Sequence, residues 1–157
     1  MRYLILGFSI LSACTGGEGD DAASDPEVLY AGAIDEDSLS DLIVSDVSEG
    51  AWLEVRFSDC ADGWCAEATV VGTIETIAGD VFGTSVIEDV ESEGDVLRGT
   101  LAFEKNTFYL KGEISDDALF AEMYYPCIVK YGIKIGEFSL QRTSEEELLL
   151  MAEDAEE

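Results

Sequence analysis

The chain has 157 residues, 47% of them apolar, enough for one folded core. Thirty-five Asp and Glu stand against eight Lys and Arg, a formal net charge of −27, so nucleic acid and acidic polymers are repelled rather than bound. There is no His, which removes every Ser-His-Asp triad, Cys-His pair and His-ligated metal site and leaves acid–base work to Asp, Glu, Tyr, Lys or Cys.

The chain opens MRYLILGFSILSAC. Arg2 supplies a positive charge, Tyr3 to Leu11 is mostly apolar, and Ser12 and Ala13 are small. A bilayer core needs about 20 apolar residues, so this run is too short to span it. A charged start, an apolar middle and small residues at the cut have the layout of a secretory signal. Leu11-Ser12-Ala13-Cys14 resembles the lipobox of bacterial lipoproteins: an aliphatic residue, a small residue, Ala or Gly, then Cys. The resemblance covers the first 14 residues. It implies removal of residues 1–13 as a signal peptide, a diacylglycerol thioether on Cys14 and acylation of the new amino group. Two or more acyl chains give stable anchoring. The expected location is the bacterial cell envelope, with the protein tied to the membrane through its lipid. Thr15, where an Asp would favour inner-membrane retention, leans toward the outer membrane by the same resemblance. Loss of Arg2 with the signal leaves 35 acids against seven bases.

Residues 14–27 read as the lipidated Cys and a flexible acidic linker, rich in Gly and acid, with a span of about 20 Å. Residues 28–143 read as a β-domain. Val28 to Ile34 forms a first strand and Leu42 to Val47 a second, across the acidic turn Asp35-Glu36-Asp37-Ser38. That turn lacks the alternating acids, central Gly and final Glu of a calcium loop. Leu53, Val55 and Phe57 then alternate with Glu54, Arg56 and Ser58, the period of a half-buried strand. Val70, Gly72 and Ile74 mark the next strand, and Phe82, Val86 and Val90 another, ended by the turn ESEGD. Further strands carry Leu97 to Phe103, Phe108 to Ile114 and Leu119 to Met123. The last, Ile133 to Leu140, changes face at Gly136, where a bulge is expected.

Many strands at short spacing with tight polar turns predict an all-β antiparallel meander. Glycines inside the strands favour a strongly bent sheet, hence a small closed or nearly closed barrel, with a β-sandwich as the alternative. In this texture, though not in any motif, the domain resembles small lipocalin-like barrels. Residues 144–157 read as a short C-terminal helix and acidic tail. Ser144 and Glu147 have capping-box spacing, and one apolar turn, Leu148 to Met151, precedes a tail expected to fray.

With Cys14 lipidated, three cysteines remain in an oxidising compartment. Cys60 and Cys65 could close the loop DCADGWC, or Cys127 could pair with either, with one thiol left over. No metal site or cofactor is expected. Trp52, Trp64, Tyr124 and Tyr125 are either packing over a barrel mouth or a binding surface. The expected function is a non-enzymatic binding or interaction domain for a small apolar ligand or a basic protein. A carboxylate-based hydrolase, or a structural or salt-adapted envelope protein, is the alternative.

Overall fold

A computed structural model describes residues 27–60, 63–103, 106–115, 117–125 and 132–155, apart from the side chains of Cys60, Gly63, Trp64 and Ala155. The signal, Cys14, the linker up to residue 26 and Cys127 lie outside the described residues. Ten strands follow in chain order: β1 (Val28–Ala33), β2 (Val44–Val47), β3 (Trp52–Cys60), β4 (Gly63–Thr76), β5 (Val81–Val86), β6 (Glu88–Glu93), β7 (Val96–Phe103), β8 (Asn106–Ile114), β9 (Ala118–Tyr125) and β10 (Ile133–Thr143). An α-helix, α1 (Glu145–Ala155), follows β10 at the end of the described residues.

Every strand pairing is antiparallel, and all ten strands belong to one sheet, so the two-sheet sandwich is not formed. β2 and β3 lie end to end along the same side of β4: Val44 opposes Thr76 and Val47 opposes Ile74, while Trp52 opposes Val71. Ser48 to Ala51 is the offset between them, with Gly50 at φ 72. β5 and β6 are likewise one bent course, joined by the single residue Ile87. β5 pairs with β4, and β6 pairs with β7. The sheet thus curls into a meander barrel that is nearly but not fully closed. The Ile87 N–H, donating to the Ala66 carbonyl (2.8 Å), carries the β4–β5 pairing to the bend, and across the seam to β7 the Ala102 N–H donates to the Ser85 hydroxyl (2.9 Å). Gly99 makes this closure possible. A Cβ there would stand 2.3 Å from Ile87 Cγ2, so only glycine lets the bent course lie against β7.

Alternation along the strands sets the inside. On β7 and β8, Leu97, Gly99, Leu101, Phe103, Phe108 and Leu110 are buried, and the residues that alternate with them are exposed or half-buried. Leu101, Phe103, Phe108 and Leu110 join Tyr30, Leu53, Val55, Ile74, Leu119, Met123, Phe138 and Leu140 in one core. Phe82 and Val86 depart from the sequence reading: both face out, while Val81, Ser85 and Ile87 face in. The pairing of Val70 with Gly83 sets that face, and apolar residues of both parities in the segment hide it from the pattern. The turn ESEGD is also shorter than expected. Glu91 to Glu93 continue the strand, and the reversal is Gly94-Asp95. The expected bulge is present, with the register shifting between Lys134 and Gly136.

The antiparallel order assigns the barrel two ends. The base gathers the start of β1, the β3–β4 hairpin, the β8–β9 turn and the end of β10 with α1. The distal end gathers residues 35–43 and the turn after β4. Leu39, bridged to Gly136, covers part of it, beside a one-turn 3-10 helix, Glu36–Ser38, whose Asp37 N–H donates to Asp35 Oδ1. The α1 start is capped as the spacing predicts. The Glu147 N–H donates to Ser144 Oγ (3.2 Å), and the Ser144 N–H donates to Glu147 Oε2 (3.0 Å). The helix runs 11 residues, on into the tail expected to fray, because Ala, Glu, Leu and Met are strong helix formers. It lies on the outside of β1, where Leu148 buries Leu29 and Ala31.

Candidate functional site

The barrel interior is solid. Leu53, Val55, Ala68, Ile74, Leu101, Phe108, Leu119, Met123, Ile135 and Leu140 expose no surface, so no cavity wide enough for water reaches them. Recognition is therefore sought on the outer walls, and these differ sharply in charge. The sequence from Val28 to Leu97, which forms β1 to β6, holds 17 acids and one base, Arg56. The sequence from Arg98 to Thr143, which supplies most of β7 and all of β8 to β10, holds six acids and six bases. The first segment, turns included, is strongly acidic and the second is neutral.

The single base of the acidic wall is already engaged. Arg56 Nη1 donates to Glu27 Oε2 (3.2 Å) and to Glu145, and its Nη2 lies 3.9 Å from Glu54 Oε2. Burial opposes the guanidinium charge, but these carboxylates outweigh it and raise the Arg56 pKa. The cluster joins the entry to β1, the middle of β3 and the first turn of α1. Trp52 belongs to the same outer face: its Nε1–H donates to Glu54 Oε1 (2.6 Å).

The neutral wall carries rows of residues that the strand register brings together. Thr100, Tyr109, Tyr124 and Lys134 stand side by side on β7, β8, β9 and β10. The next row toward the base holds Arg98, Lys111, Glu122 and Glu137. Glu122 is the hub. It accepts from the Tyr124 hydroxyl (3.0 Å) and from Lys134 Nζ (3.4 Å), and Lys111 Nζ lies 3.6 Å away. Burial disfavours its ionised form, but the Tyr124 and Lys134 hydrogen bonds and the two ammonium charges prevail, so its pKa lies below the ordinary carboxylate value. Burial, then the bond to Glu122, pushes the Tyr124 phenol up. The hydrogen bond to Glu137 raises Lys134. Tyr109 and Phe120 flank this network with exposed rings.

The four aromatics singled out in the sequence do not share one surface. Trp52 is on β3 and Tyr124 on β9, with β1 and β10 between them. Tyr125 is half-buried against the core, its ring 5.9 Å from Phe108. Trp64 opposes Asp59 in the β3–β4 ladder, and its side chain is outside the described set. Sequence reasoning missed Tyr109, which becomes a neighbour of Tyr124 only through the register of β8 and β9, and Phe120, which lies two residues before Glu122 on the outer face of β9. The DCADGWC segment is mostly strand, with only Ala61 and Asp62 between β3 and β4. Cys65 is disulfide-bonded, and Cys60 opposes Gly63, two positions along from the Ser58–Cys65 pair.

Among the described residues no group of three metal-ligating side chains converges, and no helix is long and apolar enough to cross a membrane. No protein family, curated protein or solved structure matches the chain.

Proposed function

We propose that this chain is a lipid-anchored protein of the bacterial cell envelope whose barrel is a non-enzymatic binding module for a basic protein. The observation that carries the reading is the charge segregation. Acids serving only to solvate the surface in salt would have no reason to leave β7 to β10 neutral. A segment with 17 acids, turns included, and one pre-engaged base draws cationic partners by long-range attraction. The solid interior favours an outer surface over a small apolar ligand held inside. Hydrolysis by paired carboxylates has less behind it. Glu122 and Glu147 are both held low, the opposite direction from a general acid.

Two measurements test this. Metabolic labelling with a clickable palmitate should mark the native chain and not Cys14→Ser, whose product should leave the membrane fraction; label on the variant removes the anchor. A fluorescent oligolysine peptide should bind at 20 mM salt and release by 300 mM. Asp46→Lys with Glu75→Lys should weaken that binding more than Glu113→Lys with Glu137→Lys. Equal losses from the two pairs would refute the acidic-wall reading.

A further inference from the structure

The most exposed large apolar residues of the barrel are Leu42, at 84%, and Ile77, at 77%. They lie together. The Ile77 N–H donates to the Ile43 carbonyl (2.9 Å), and Val44 opposes Thr76, so both mark the distal end of the β2–β4 pair. Phe82 follows five residues after Ile77, on β5 at the other side of β4, and is also exposed. Each is exposed beside a buried neighbour in sequence, Ile43, Thr76 and Val81, with Leu42 and Ile77 in turns and Phe82 on β5.

The backbone that carries Leu42 and Ile77 is held by hydrogen bonds. The Ile77 turn is closed by Gly79 N–H to Thr76 O (3.1 Å), Thr76 Oγ1 to Gly79 O (2.7 Å) and Ala78 N–H to Thr76 Oγ1 (3.1 Å). The Leu42 turn is fixed by Ile43 and Val44 N–H donating to Ser40 O, while the Ser40 N–H donates to Ile135 O (2.7 Å). Turns of this kind favour polar residues, and neither position contributes to the core. Around them stand Asp41, Asp46, Glu75 and Asp80, all exposed, with no base in the sequence from Phe57 to Leu97. The corner is also at the opposite end of the barrel from the entry to β1.

We propose that this distal corner, Leu42, Ile77 and Phe82 within their acidic collar, docks a cationic amphipathic segment of the partner protein: apolar side chains on the knobs, Lys or Arg on the collar. The inference rests on the acidic-wall reading above and locates its contact. The charge sign selects the occupant, since a second copy of this chain at −27 and an anionic lipid surface are both repelled there. Rigid apolar anchors ringed by polar groups are the arrangement that concentrates binding energy.

The test uses the full chain in nanodiscs of zwitterionic lipid, with empty nanodiscs as the blank. One probe is a 14-residue peptide of Lys and Leu at amphipathic-helix spacing, the other an oligolysine with as many charges. The Lys/Leu peptide should bind at least about tenfold tighter. Leu42→Asn with Ile77→Asn should erase that advantage and leave oligolysine binding unchanged, and Tyr109→Ser on the neutral wall should alter neither. Both substituted positions are exposed, so the melting curve should be native. Unchanged Lys/Leu affinity in the double variant overturns the assignment, as does a concentration-dependent dimer abolished by it. If both peptides bind equally, the acidic-wall reading stands and this corner is not its contact. If neither binds at low salt, both fall together.

Discussion

Leu148→Ala should undock α1 without unfolding the barrel. Leu148 is the one α1 side chain in the small cluster with Leu29 and Ala31, on the opposite side of β1 from the core. Removing three buried carbons forfeits about 2 kcal/mol at roughly 0.8 kcal/mol per carbon, with little cavity cost at a surface site that can collapse. What remains to hold the helix is the Ser144–Glu147 capping box and the Arg56–Glu145 pair, both weak at the solvent-facing surface. An 11-residue helix is below the length that is stable alone in water. The docked-to-undocked ratio should therefore fall about thirtyfold. Amide exchange reports this directly. Protection from Leu148 to Asp154 should drop by that factor while Leu53, Val55 and Leu110 keep theirs, and ellipticity at 222 nm should shrink. If the core amides lose protection in step with the helix, α1 is part of the cooperative barrel and the separation argued here is wrong.

Three further outcomes follow from the packing and the charges. Gly136→Ala places a Cβ 2.6 Å from Leu39 Cδ2 and 3.2 Å from Ser38 O, and should cost about 1–3 kcal/mol in urea titration; combined with Leu39→Ala it should cost less than the two single changes summed. Glu122 has a folded pKa below its unfolded value, so it binds fewer protons when folded; its stabilisation is complete above the ordinary carboxylate value of 4.5 and is lost as pH falls through the lower folded value. Glu122→Gln should thus flatten the acid limb of the stability curve and leave its slope unchanged above about pH 6. Native protein should melt about 5 °C or more higher in 1 M than in 0.05 M NaCl, because salt relieves the repulsion behind the net charge of −27; a flat melting temperature would refute self-repulsion.

Much of the barrel is legible in the sequence, because a strand with one buried face writes itself as alternation. β7, β8 and β9 show this, with Leu97, Leu101, Phe103, Phe108, Leu110, Leu119 and Met123 inside. The Gly136 bulge and the Ser144–Glu147 cap are local signals and are legible for that reason. The seam is not. Residues 81–87 carry apolar side chains on both parities, and only pairing with β4 decides that Val81 and Ile87 go in and Phe82 and Val86 stay out. The candidate surfaces are less legible still. Tyr109 and Tyr124 are 15 positions apart in sequence and opposite each other in the sheet, a fact of register rather than composition. Leu42 and Ile77 are joined only by the backbone bond between their turns.

The placement of β1 has a mechanical consequence. β1 is clasped between β3 and β10, with its start at the base, and any pull on the chain ahead of Val28 is transmitted along the strand axis. If the resisting load sits at the distal corner, β1 must slide past both neighbours before it yields. Its ladder bonds, from Val28–Phe57 to Ala33–Trp52, then bear the force together rather than one after another. The Arg56 cluster, which grips Glu27 just ahead of the strand, is the first contact that such a force would load.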